Sequence, residues 1–189
     1  MSKSLSNHFH GTTGERKFKA SQQEYEDDII KARVQGLDLR EHPVKHKSSL
    51  SVKEIKRRID NRTATIEDFR KYDRIKRLSA KRKAAVNAFW IAERERLRNN
   101  EPGTRNWTAE QRRIILDGGR PKVNGKTMQG HHTYSVLMYP HLAGNHKVIY
   151  PVTFEEHLYE WHGGNFKNSL PGKPFKRKRR RKYETSSLY

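Results

Sequence analysis

The chain contains no cysteine. Disulfides and thiolate-held metals are therefore excluded, and any metal must be taken by His, Asp, Glu or Asn. Acidic residues are scarce as well: 21 Asp and Glu stand against 41 Lys and Arg, a formal charge of +20 over 189 residues. A chain so charged repels itself unless a polyanion is near, which makes nucleic acid the leading partner class. Apolar residues supply only 32% of the sequence, so the core is modest, and one or two small domains are the expected scale. No apolar run is long enough to span a bilayer, and no membrane partner is expected. The opening Met1-Ser2-Lys3-Ser4-Leu5-Ser6 lacks the apolar region of a signal peptide. Export, if it occurs, is expected by a specialised route or within a longer polypeptide.

What is present falls into two halves. Residues 1–100 read as a mainly helical region. After a polar, irregular lead-in over residues 1–20, where His8 and His10 are loop histidines, Ser21-Gln22-Gln23-Glu24 predicts a helix start by the capping-box pattern. Tyr25, Ile29, Ile30 and Val34 follow at helical spacing, and Gly36 ends the run. Ser51-Val52-Lys53-Glu54 opens a second, short helix carrying Ile55 and Ile59. From Thr65 the longest periodic segment carries Ile66, Phe69, Tyr72, Ile75, Leu78, Val86, Phe89, Trp90 and Leu97, an apolar stripe turned to a partner surface with Lys and Arg opposite. Glu67, Asp68, Asp73, Glu93 and Glu95 interrupt the basic side, which reads as a solvated exterior. Asn99-Asn100-Glu101-Pro102-Gly103 stops the helix and marks the domain boundary.

Beyond it, Thr108 to Gln111 predicts another capped helix, through Leu116. Asn124-Gly125 is a hairpin-turn signal. Two histidine clusters then bracket a β-prone run: Gly130-His131-His132, Val148-Ile149-Tyr150-Pro151-Val152, and Glu156-His157-Leu158-Tyr159-Glu160-Trp161-His162-Gly163-Gly164-Asn165. Thr153 with Glu156 forms a capping box at the head of the last segment. The local order is strand, strand, helix, an arrangement that can converge several imidazoles on one ion. His131 and His132 are adjacent on an extended segment, so they point to opposite sides. His157 and His162 are five apart, about 140° out of phase on an α-helix. Both can face one metal only if the helix stops before the Gly163-Gly164 pair or contains a π-type turn.

These motifs, in this order, resemble the His-Asn-His and endonuclease VII superfamily, and most closely its Gly-His-His branch, found as C-terminal nuclease modules of bacterial polymorphic toxins. The resemblance covers roughly residues 105–175. It implies a ββα-metal nuclease domain, here over residues 105–172, which together with the helical residues 1–100 and a basic tail over residues 173–189 makes the expected chain α+β. It further implies one divalent metal, Mg2+ or Zn2+, held by His131, His157 and His162, with His132 as the general base. The superfamily often has an asparagine that orients that base; here the nearest is Asn145, slightly early. His146 is a weaker candidate ligand, and His141 has no assigned role. The implied activity is phosphodiester hydrolysis, with DNA favoured over RNA. Implied with it are delivery into rival cells and a cognate immunity protein; the resemblance does not reach residues 1–100, which are read separately as a helical module that docks on a secretion or carrier protein. The run Lys173 to Lys182, with Lys176, Arg177, Lys178, Arg179, Arg180 and Arg181, is expected to contact phosphates without sequence preference. The competing reading is a non-catalytic basic nucleic-acid-binding protein with a structural metal site or none.

Overall fold

The computed structural model describes the backbone of residues 13–175 and the side chains of residues 24–175. The basic residues Lys176 to Arg181, and His8 and His10, lie outside the described residues. The first helix, α1 (Thr13–Val34), begins well before the Ser21 cap that the sequence suggested. Glu15, Arg16, Lys17, Lys19 and Ala20 are all good helix formers, so Ser21 falls within a helix that is already running. The helices α2 (Val52–Asp60), α3 (Ile66–Arg98) and α4 (Ala109–Leu116) start where their caps predicted. Ser51, Thr65 and Thr108 each accept a backbone amide three residues on, and Thr65–Asp68 and Thr108–Gln111 close full capping boxes.

Two small sheets follow. β1 (Lys122–Val123) and β2 (Lys126–Thr127) flank the Asn124-Gly125 turn, as that dipeptide indicated. The histidine-bearing strand does not extend this hairpin. β3 (Gln129–His132) pairs antiparallel with β4 (Ile149–Val152), setting Gly130 opposite Pro151, His131 opposite Tyr150 and His132 opposite Ile149. Between them the chain makes two 3-10 turns, Pro140–Leu142 and His146–Val148, and after β4 comes a π-helix, Glu156–Trp161. Among the described residues no helix is long and apolar enough to cross a membrane.

Every residue of β4 is buried, so it behaves as a core strand. One side of the core joins Val34 of α1, Ala85, Phe89, Trp90 and Leu97 of α3, Ile115 of α4, and Leu142, Val148 and Ile149 around the sheet. Each of the larger of these side chains contributes about 1.5–3 kcal/mol by leaving water. A second cluster packs Ile30 against Tyr150, Val152 and Trp161. The apolar stripe of α3 is used unevenly. Its second half is core, whereas at its first half Ile66 and Phe69 remain 64% and 47% exposed, with α2 as the neighbouring element.

Glu93, assigned above to a solvated face, is instead fully buried. Its carboxylate accepts the Thr104 amide at 2.6 Å, the Thr104 hydroxyl at 2.6 Å, the Trp107 indole at 2.7 Å and the Arg96 guanidinium at 2.6 Å. Arg33 of α1 donates to the same Thr104 hydroxyl at 2.8 Å and to the His146 carbonyl at 3.0 Å. With four donors around it, the buried carboxylate is satisfied, and it ties α1, α3, the 99–107 connection and the approach to β4 together.

Candidate metal centre

Gly130 fixes where the site sits. A β-carbon there would lie 2.9 Å from both Val86 methyls and 2.9 Å from Ile149 Cγ2. No real side chain tolerates that, so the glycine is what lets α3 lie directly on β3. With the strand held in this position, His131 points inward and is 3% exposed. His132, on the other side of the strand, is 8% exposed.

The third element brings the remaining imidazoles. Thr153 and Glu156 form the expected capping box, with bonds of 2.8 and 3.2 Å. Glu156 also receives a bidentate pair from Arg105 at 2.6 and 2.7 Å, and Arg105 donates to the Pro151 carbonyl at 3.0 Å. The helix is thereby clamped to the end of β4. After one turn it widens into the π form, in which residues five apart stack on one face. It then stops: Gly163 and Gly164 have φ of +56° and +88°, and the Gly164 amide reaches back to the Leu158 carbonyl at 2.7 Å. Both devices that the five-residue spacing demanded are present, and His157 and His162 face the same point.

The three rings form a near-equilateral triangle. Centroids are 5.0 Å apart for His131–His157, 5.0 Å for His131–His162 and 4.9 Å for His157–His162. One ring nitrogen from each lies within 4.8 Å of the others. His157 Nδ1 donates to the Gln129 amide oxygen at 2.5 Å. His162 Nδ1 donates to the Asn168 carbonyl. Carbonyl oxygens only accept, so both rings carry their proton on Nδ1 and leave Nε2 bare. His131 Nε2 is buried and has no hydrogen-bond partner. An orphaned buried nitrogen facing two bare imidazole nitrogens is a donor set that fits one divalent ion with open positions. Trp161 covers the His131 ring at 4.5 Å, and Phe166 edges onto His157 and His162 at 5.3 and 5.2 Å. The site is walled by aromatic surface on that side.

Burial and neighbouring charges favour the neutral form of three site histidines, His131, His157 and His132. Burial, then the neighbouring histidines, hold His131 well below its ordinary value. His157 is pushed down to about 4, first by burial and then by His162 and Arg82. His132 is also lowered, chiefly by burial, against the opposing effect of its bond to the Ala143 carbonyl. That bond, from Nε2 at 3.1 Å, leaves Nδ1 of His132 as the atom able to accept a proton.

The other candidates are placed elsewhere. Asn145 does not hold the His132 ring: its side chain accepts the Lys147 amide at 2.9 Å and caps the 3-10 turn. The orienting acceptor is the backbone of Ala143, an atom with no sequence signature. His146 is outside the three-histidine group, and His141 stands in an exposed cluster with Asp38 and His42. Sequence reasoning passed over Gln129, although strand alternation sets residues 129 and 131 on one side. It also passed over Arg105 and Arg82, which lie far from the motif along the chain.

Residues 73–153 match the model of a family described as GHH-signature-containing HNH/Endo VII superfamily nuclease toxins. By that match, this segment is similar to GHH-signature nuclease toxin domains. The match starts in α3, upstream of the boundary expected at 99–103, and ends just after β4. It contains His131 and His132, whereas His157 and His162 lie beyond its end. Its start accords with the close packing of Val86 on the GHH glycine. A stretch of 66 residues, 35% of this chain, is 38% identical to teneurin-3 of Danio rerio and spans 2% of that protein. The likeness thus concerns a small segment of a far longer polypeptide.

Proposed function

We propose that this chain is a metal-dependent endonuclease toxin in which His131, His157 and His162 hold one divalent ion and His132 is the general base. The observation that carries the reading is the convergence of three bare imidazole nitrogens, one of them buried and unpartnered, beside a fourth histidine whose opposite nitrogen is already committed to a carbonyl. Bound there, the ion supplies positive charge to the phosphoryl and leaving oxygens as negative charge builds on them. Three nitrogen donors of intermediate softness favour zinc or nickel over magnesium, which prefers oxygen.

His132 takes the proton from the attacking water at Nδ1, while Ala143 fixes the ring plane and tautomer. Gln129 and Asn168 hold His157 and His162 in their ligating orientation. Trp161 and Phe166 keep bulk water from one side of the site. Phosphorus–oxygen cleavage then follows in-line attack, with the leaving oxygen protonated from solvent. DNA is the favoured substrate over RNA, and the residues of the tail, Lys176 to Arg181, add phosphate contacts. Delivery into a target cell, a cognate immunity protein and a carrier docked on residues 1–100 complete the proposal.

The test compares wild type with His132→Ala on plasmid DNA, together with zinc titration of both proteins. The variant is expected to bind zinc as wild type does and to lose about 100- to 10,000-fold in cleavage rate. Wild-type turnover in the variant removes His132 from the mechanism. Nucleic-acid binding without cleavage in wild type, under every divalent metal, leaves a basic binding protein instead.

A further inference from the structure

The basic side of α3 is more than solvated exterior. A groove runs between the 44–47 segment, α3 from Glu67 to Lys81, and Pro140-His141. The acids on its wall are spoken for: Glu67 pairs with Arg70 at 2.8 Å and Asp73 with Arg77 at 2.9 Å. Lys71 is spent on the Ser48 and Leu50 carbonyls at 3.0 and 2.6 Å. That leaves Lys45, Lys47, Arg74 and Lys81, all exposed and none in an ion pair or hydrogen bond among the described residues. His46, beside them, is held below its ordinary value by partial burial and by the charges of Lys71 and Arg74. The groove is therefore positive along its length.

Its far end abuts the metal centre. Lys81 packs against Gly144, with 3.7 Å from its Cβ to the position a glycine β-carbon would take. Gly144 follows Ala143, the residue whose carbonyl holds the His132 ring. The next residue, Arg82, lies one turn before Val86, the side chain seated on Gly130. Arg82 is exposed, lacks any partner among the described residues, and exerts its charge on His131, His132 and His157.

We propose that Lys45, Lys47, Arg74 and Lys81 form a track for the phosphodiester backbone of the substrate and lead it past Arg82 to the metal centre. This rests on the nucleic-acid reading of that centre. The spacing suits a polyanion, since the free cations lie on two facing walls and the interleaved acids are neutralised within their own helix turns. A neutral or cationic partner has nothing to pair with there.

The test uses the full chain in a His132→Ala background loaded with zinc, so that binding is read without cleavage. Lys45→Gln, Lys47→Gln, Arg74→Gln and Lys81→Gln are combined, leaving Arg82 and the histidines untouched. A control loses equal charge elsewhere through Lys31→Gln, Arg98→Gln, Arg113→Gln and Lys122→Gln. Affinity for a labelled duplex DNA and for a single-stranded RNA is measured against salt. Each lost contact makes the slope of log affinity against log salt shallower by about 0.9 for duplex and about 0.7 for single strand. The groove variant is expected to lose about 3 to 4 in slope with duplex, or about 2 to 3 with RNA, on whichever the wild type binds more tightly. Its affinity at 0.15 M salt is expected to fall at least about tenfold, whereas the control changes little. With His132 restored, KM rises and kcat holds.

An unchanged slope overturns the track and leaves an acidic protein surface as the groove's occupant. An equal loss in the control also overturns it, because net charge alone then explains the effect. Thermal melting of both sets identifies any variant that fails to fold, and Lys81→Gln alone, expected to shift the slope by about 0.9, then carries the test. A wild type that binds nucleic acid but never cleaves it contradicts the nuclease reading and leaves the track standing.

Discussion

At the scale of single residues, the candidate metal centre depends on atoms that hold the imidazoles as much as on the imidazoles themselves. Gln129 accepts from His157 Nδ1 at 2.5 Å, which fixes the tautomer that leaves Nε2 bare. Gln129→Leu is near in size and removes the side-chain amide, and with it the acceptor. It is expected to weaken zinc affinity about 10- to 100-fold with little change in melting temperature in the absence of metal; calorimetric titration measures it, and unchanged affinity means the contact does not orient the ligand. The convergence of His131, His157 and His162 was legible from the sequence because their spacing and neighbours are written in the chain. The partner of His132 was not: a backbone carbonyl looks the same at every residue, so only the path of the 133–148 loop reveals Ala143. Asn145 drew attention by its side chain and is occupied in capping a turn.

At the scale of elements, the conflict in the five-residue histidine spacing was visible in advance, and its resolution was left between a glycine stop and a π turn. The structure uses both, since the widened turn aligns the rings and the glycines end the helix at once. Gly163 at φ +56° has room for a side chain, its nearest neighbour being Phe175 at 3.6 Å, so substitution there strains the backbone and not the packing. Gly163→Val is expected to cost about 1–2 kcal/mol and to weaken metal binding more than its volume suggests, as read by melting with and without zinc. Gly130 is the opposite case, limited by space. Gly130→Ala is expected to destabilise by about 1–3 kcal/mol, and Val86→Ala in the same chain to recover part of that loss in a double-mutant cycle. Additive costs contradict the direct α3–β3 contact. The helix starts at Thr65, Thr108 and Thr153 were readable because each states its cap locally, whereas that of α1 was not, since Ser21 lies inside a helix already begun at Thr13. The burial of Glu93 was not, because its donors arrive from Thr104 and Trp107 across a chain turn.

At the scale of the whole molecule, the site histidines couple folding to pH. Burial lowers His131 and His157 in the folded state, His157 to about 4, below an unfolded value near 6.5. The unfolded chain therefore binds more protons in that window, and the stability of the metal-free protein falls as pH drops from about 6.5 towards 4. On the proposed ligation, zinc binds only the folded, neutral triad, so it should raise the melting temperature at pH 7 and lose that effect as the pH approaches 4. A melting temperature flat across this range, with and without zinc, contradicts both the burial and the ligation. Truncation after Gly172 removes the basic run and is expected to make the salt dependence of nucleic-acid binding shallower while leaving metal affinity intact; an unchanged slope means that the tail does not touch phosphate.

The central claim, that three converging imidazoles hold the ion on which hydrolysis depends, is tested most directly by plasmid cleavage with protein stripped by EDTA and then titrated with zinc, nickel or magnesium. The account predicts no cleavage by the stripped protein, and recovery that saturates at one ion per chain in wild type but not in His131→Ala. Undiminished cleavage in EDTA, or equal recovery in His131→Ala, contradicts it.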